Sequence, residues 1–211
     1  MMRRPAGFTL IEVLVAMTVM AVMAMMAWQG VDGIVRARDA SRDRLERTLR
    51  LNSVVAQWDQ DLASIQESSS VPALTCDGST VRLIRRAEGG LQVVAWALRP
   101  DSATDSSWWR WASPAVTTAG ELQDHWLRTE QFQGGEPGQL RAVSGLSGWQ
   151  VQFYQGGWSN CQSTRDLAPA AGGASAPPPS SALPDGVRMI LSFAPGSGQN
   201  GSLVRDTLVK P

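Results

Sequence analysis

From Val13 to Val31 the chain runs nineteen residues without a charge. Taken from Phe8 to about Gly30, the segment is long enough to cross a bilayer, whose ~30 Å core needs about 20 helical residues. Its Leu, Val, Met and Ala content suits a helix in that setting. Two other readings fit less well. A buried core helix of a soluble protein rarely has so long a charge-free stretch at a chain start. A cleavable secretory signal has an apolar stretch of ~7–15 residues ending in an Ala-x-Ala-like site. Here Ala21, Ala24 and Ala27 fall at intervals of three, and no Cys lies near the run to carry a lipid. The segment is expected to stay attached.

Glu12 is the exception in this apolar context. A charge in hydrocarbon costs ~2.5–3.5 kcal/mol on insertion scales, so Glu12 should have a partner. Cleavage after Gly7, which ends a short basic leader containing Arg3 and Arg4, would create one. The new α-amine of Phe8 would lie four residues before Glu12, available to its own helix or to a neighbour's.

The run Gly7-Phe8-Thr9-Leu10-Ile11-Glu12-Val13-Leu14-Val15-Ala16 resembles the class III signal of type IV prepilins and type II secretion pseudopilins. The resemblance implies a prepilin peptidase that cuts after Gly7 and N-methylates Phe8, with Glu12 as an intersubunit carboxylate. Arg3 and Arg4 favour a cytoplasmic N-terminus, yet six arginines between Arg36 and Arg50 follow the span, and the interleaved acids count for little. The resemblance, not the charge count, implies a bacterial inner-membrane protein with a periplasmic body.

No Pro occurs between Ala6 and Val71, so nothing forces the helix to break beyond the membrane. Asp32/Arg36, Asp43/Arg47 and Glu46/Arg50 are acid-first i,i+4 pairs, each worth ~0.2–0.5 kcal/mol on a helix. Leu51, Val54, Val55, Trp58, Leu62 and Ile65 then form one apolar stripe at helical spacing. Ser68-Ser-Ser-Val-Pro72 stops the element. One helix is expected from about Phe8 to Gln66. A coiled-coil stalk over the charged part is the alternative, but apolar a and d positions are sparse there.

The remainder reads as β. Val81–Ile84 and Leu91–Leu98 flank Glu88-Gly-Gly90, a hairpin signal. Further strands are expected at Trp108–Ala112, Leu140–Val143, Trp149–Tyr154, Val187–Phe193 and Leu203–Val209. Alternation of Trp149, Val151 and Phe153 with polar neighbours buries one face of its strand. Residues 167–184 are rich in Pro, Ala, Gly and Ser and read as a flexible loop, across which segments 81–160 and 185–209 should pair.

Several stretches narrow the resemblance: Val94-Ala-Trp-Ala-Leu-Arg99, the Gly157-Trp158 turn, Leu183-Pro-Asp-Gly-Val-Arg-Met-Ile-Leu191 and Ala27-Trp-Gln-Gly-Val-Asp-Gly33. They look like a J-type minor pseudopilin. The Trp-rich stretch 108–111 and the long 167–184 loop depart from that pattern. The resemblance implies an α+β, pilin-like fold, a long N-terminal helix packed against antiparallel β-sheets. Its parts would be a leader over 1–7, a transmembrane helix over 8–30, a helical continuation over 31–66 and a β-rich periplasmic domain over 71–211. It also implies partners: I-, K- and H-type minor pseudopilins, the major pseudopilin and the peptidase.

Composition bounds the chemistry. Nineteen basic against nineteen acidic side chains, with a pI near 6.6, leave no excess to track phosphates, so no nucleic-acid partner is expected. One His and two Cys are too few for a usual zinc site. Cys76 and Cys161 are the right number for one disulfide. A nucleophilic Cys with His125 and Asp124 is the alternative, and two free thiols in loop-like sequence remain open. Asp59-Gln-Asp61 and Asp101–Asp105 lack the Gly and Glu of a calcium loop and read as solvated carboxylates. His125 reads as a loop residue. Trp108, Trp109 and Trp111 read either as an exposed patch or as core on one face with Trp109 outward. No cofactor, metal or catalytic constellation is expected. The function readings are a minor pseudopilin at a pseudopilus tip, a minor pilin of a type IV pilus, and a tethered enzyme or sensor domain.

Overall fold

The computed structural model describes residues 9–102, 104–130, 137–161 and 183–209. The proline-free run forms one helix, α1, over Leu10–Ala63. It stops short of Gln66 because the next residues join a sheet. The Gln66 N–H donates to the Ile84 carbonyl (3.0 Å), and the Arg86 N–H to the Ser64 carbonyl (2.9 Å). Among the described residues eight strands follow: β1 (Leu74–Cys76), β2 (Thr80–Ala87), β3 (Gly90–Pro100), β4 (Ser106–Ala112), β5 (Leu140–Tyr154), β6 (Trp158–Asn160), β7 (Gly186–Phe193) and β8 (Ser202–Leu208). A second helix, α2 (Ala119–Glu130), lies between β4 and β5. Every described strand pairing is antiparallel. A long helix followed by an antiparallel sheet gives the α+β, pilin-like class.

The chain divides into two compact units, Met1–Leu49 and Arg50–Pro211. In the first, the described residues are helical from Leu10 and all exposed. Thr18, Ser41 and Thr48 satisfy their hydroxyls on the carbonyls four residues back, at 2.8–3.0 Å, so Thr18 is not left orphaned in the apolar run. Asp32 and Arg36 pair at 2.9 Å as the spacing predicts. The other two predicted pairs do not form. Arg42 takes Glu46 at 3.0 Å, and Arg47 donates to the Asp43 backbone carbonyl.

In the second unit the sheet order is β1-β2-β3-β4-β5-β7-β8, with β6 paired to β5. The predicted stripe packs on this sheet: Trp58, Leu62 and Ile65 are buried, and Leu51, Val54 and Val55 pack against the same core. Arg50 turns from Glu46 to donate to the Arg141 and Ala142 carbonyls (2.9 and 3.2 Å), where the β4–β5 ladder is irregular. Val81, Leu83, Val94, Trp96 and Trp108 join the helix-facing core. The alternate residues Ile84, Val93, Ala95 and Trp111 form a second core with Leu122 and Trp126 of α2. Strands β2 and β3 are thus covered on both faces.

Three expectations change here. Leu140–Val143 and Trp149–Tyr154 are one fifteen-residue strand, β5. The intervening Ser144-Gly-Leu-Ser-Gly148 looks like a loop, but it is the bend where β5 passes from β4 to β7, with Gly145 at φ +74° and a register shift before Gly148. His125 is on a helix rather than in a loop. Trp108 and Trp111 face opposite ways, because α2 covers the side that Trp111 occupies. Trp109 is half-buried, with the Arg141 guanidinium 6.0 Å from its ring. The β2–β3 hairpin turns at Glu88-Gly89 as predicted. Gly90, at φ +150°, is required there, since a Cβ would collide with the Val116 carbonyl, which accepts the Leu91 N–H at 2.8 Å.

Candidate functional site

Gly7 and Phe8, the predicted cleavage and methylation pair, lie outside the described residues, as do residues 167–182 of the Pro-rich loop. Description begins at Thr9, which caps α1. The Thr9 carbonyl accepts the Glu12 N–H (3.1 Å). The Glu12 carboxylate reaches back to accept hydrogen bonds from the Thr9 N–H (3.3 Å) and the Thr9 hydroxyl (3.1 Å). A carboxylate three residues into a helix satisfies an otherwise unpaired backbone donor and sits favourably at the positive end of the helix dipole. Glu12 therefore has a partner inside its own chain, namely Thr9. Its helix has a mean hydropathy of 2.3 over its most apolar stretch, none of it buried in the protein. It is long and apolar enough to anchor in a membrane.

In the body, Asp61 is the main correction. The sequence reading made Asp59 and Asp61 solvated, yet Asp61 is fully buried. Its carboxylate accepts Trp96 Nε1 (2.9 Å), Arg110 Nε and Nη2 (2.8 and 3.0 Å), Arg85 Nη1 (2.9 Å) and Gln57 Nε2 (2.9 Å). An acid in a helix's last turn faces the unfavourable end of the dipole, and two guanidiniums compensate. One signal was available: Asp61 lies between Trp58 and Leu62, on the buried stripe. Asp59 is half-buried and takes Arg205 (2.7 Å) and the Thr207 hydroxyl (2.6 Å). Asp61 thus ties α1 to β2, β3 and β4, while Asp59 ties it to β8.

Around Trp58 the rings of Trp96, Trp108 and Trp149 lie 5.6, 5.4 and 6.2 Å away. Such pairs add ~0.5–1.5 kcal/mol each beyond the area they bury. On the far side of the sheet, Arg188 stacks 4.1 Å over Trp158 and donates twice to Asp206 at 2.7 Å. Those bonds hold the Asp206 carboxyl below its usual value.

Cys76 and Cys161 are joined in a disulfide, with Cα atoms 5.7 Å apart. Cys76 ends β1, and Cys161 directly follows β6. Neither sulfur is left as a nucleophile for His125 and Asp124; the His125 ring instead lies 6.4 Å from that of Trp111. Just after Cys76, Asp77 makes a tight turn. Burial would raise its carboxyl, but the Ser79 and Thr80 amides, the Arg82 charge and the Ser79 hydroxyl outweigh it and hold the group below its usual value. Sequence reasoning also missed α2. Its signal was Thr118-x-x-Glu121, a capping box, with Leu122, Trp126 and Thr129 buried at helical spacing.

Residues 2–28 match the prokaryotic N-terminal methylation motif. The match takes in most of the basic leader, the Gly7–Phe8 bond and most of the apolar run. This motif marks type IV pilin-like proteins and pseudopilins, and the chain carries it at the head of a pilin-like α+β architecture. No curated protein matches the chain.

Proposed function

We propose that the chain is a minor pseudopilin of the type II secretion system, of the J type, acting as a structural subunit of the pseudopilus tip rather than as an enzyme. The observation that carries this reading is the methylation motif over residues 2–28 joined to a helix that runs on into a sheet-bearing body. In this reading the prepilin peptidase cuts at Gly7–Phe8 and methylates Phe8. The apolar half of α1 anchors the subunit in the inner membrane, and the body stands in the periplasm. Assembly then replaces the Thr9–Glu12 contacts with the amine of a neighbouring Phe8. Ala16, Ala21, Ala24 and Ala27 permit close approach of neighbouring helices, supplied by the I-, K- and H-type subunits and the major pseudopilin.

The test is co-expression of the full chain with I- and K-type subunits, followed by purification and mass spectrometry. The expected result is a stoichiometric complex and an N-terminus at methylated Phe8. Gly7→Val accumulates precursor, and Arg44→Glu with Arg47→Glu weakens the complex. An unprocessed Met1 would overturn the processing step. A processed chain that ignores both partners but joins a pilus would transfer the reading to a minor pilin of a type IV pilus.

A further inference from the structure

Cys76 ends β1 and Cys161 directly follows β6, strands that the sheet order keeps apart. Strand β6 pairs with Gln152–Tyr154 of β5, whose other side is taken by β7 over the same residues. It therefore lies on the β4 side of β5, three strands from β1 in the order β1-β2-β3-β4. Strands lie ~4.8 Å apart, so a flat sheet would hold β1 and β6 roughly 14 Å from each other. The Cys76 and Cys161 Cα atoms are only 5.7 Å apart. The sheet curls until its first edge meets the β5–β6 hairpin. Among the described residues no ladder joins β1 to β6. Cys161 is 2% exposed and, with Cys76, packs into the core that holds Leu74, Val151 and Phe153.

We infer that this disulfide is a local covalent latch that closes the curled sheet along the β1–β6 seam. In the dithiol form the one described ladder of β1 is its three-residue pairing with β2, beside the core packing of Ala73 and Leu74, and the seam opens onto the core. Closure is a thiol–disulfide exchange with an oxidoreductase disulfide. One cysteine thiolate attacks the oxidant, and the second displaces it from the mixed disulfide. The two thiols lose two protons and two electrons, and the oxidant leaves as a dithiol. The rest of the sheet, held by the β5–β7 and β7–β8 ladders and the α1 stripe, does not depend on the latch.

The test is hydrogen exchange, read by mass spectrometry, on the full chain in detergent. The oxidised form is compared with the same protein reduced by dithiothreitol and with Cys76→Ser/Cys161→Ser. Peptides over β1 and β6 are expected to exchange at least about tenfold faster without the bond, while those over β7 and β8 change less than about twofold. Oxidised glutathione restores protection in the reduced protein but not in the double variant. Unchanged exchange at β1 and β6 would overturn the latch. So would an equal loss across β7 and β8, which would make the bond a global staple.

Discussion

Replacing Asp61 with Ala tests the buried ion cluster most directly. The substitution removes the acceptor of five hydrogen bonds from a fully buried site. It leaves the Trp96 indole N–H unpaired and two guanidiniums, only 19% and 16% exposed, without their shared counter-charge. Removing one partner of a buried pair costs ~3–5 kcal/mol. The orphaned indole is part of that figure rather than an addition to it. For a body of this size each kcal/mol moves Tm by about 2–4 °C, so a drop of roughly 6–20 °C is expected. Asp59→Ala is the matched control. Its partner Arg205 is 51% exposed, and pairs of that kind contribute at most about 1 kcal/mol. Thermal melts of the full chain in detergent, followed by near-UV circular dichroism, compare the two. A third protein, Asp61→Leu with Arg85→Met and Arg110→Met, should recover much of the loss by removing the stranded charges. A drop for Asp61→Ala no larger than for Asp59→Ala would refute the account.

Asp77 sets an acid limit on the β1–β2 turn. Its folded-state carboxyl is held below the usual value, so its contribution is complete above the ordinary carboxylate pKa of about 3.9 and fades as pH falls through the lower folded value. Asp77→Asn should flatten that part of a Tm-against-pH curve from pH 5 to 2; an unaltered curve counts against it. Gly90→Ala places a Cβ against the Val116 carbonyl at positive φ, and a loss of about 1–3 kcal/mol is expected in denaturant melts. Gly89→Asn, where nothing crowds the Cβ, should be tolerated far better. Thr118→Ala removes the cap of α2 at ~0.5–2 kcal/mol, visible as faster amide exchange confined to residues 119–130.

What could be read in the sequence was what repeats along it. The charge-free run carries a length and a hydropathy, while the stripe from Leu51 to Ile65 and the two-residue alternation in Trp149–Tyr154 each carry a period that one burial geometry explains. The Glu88-Gly-Gly90 turn was equally clear, because both glycines sit at positive φ and at Gly90 a Cβ would collide with the Val116 carbonyl. The losses came where a local rule meets a distant partner. Ser144–Gly148 has loop composition, and it becomes the middle of a strand because β4 and β7 approach it on opposite sides. Asp61 has the composition of a solvated acid until Arg85 and Arg110, 24 and 49 residues later, arrive around it. The methylation motif was legible for another reason: it is a contiguous pattern of residue types that needs no tertiary contact to be recognised.

The pairing of Asp59 with Arg205 and Thr207 spans 146 and 148 residues. The helical stripe that packs into the core is synthesised early, but strand β8, which holds the last turn of α1, is made only after some 140 further residues. Contacts so far apart in sequence slow folding, because loop-closure entropy must be overcome before they form. At about 5–20 residues per second, the ribosome spends roughly 7–30 seconds between Asp59 and Arg205. For that interval Trp58 and Leu62 have no completed sheet to cover them. Trp96, Trp108 and Trp149 reach Trp58 earlier, but the last turn of α1 gains its Arg205 and Thr207 partners only once β8 has emerged.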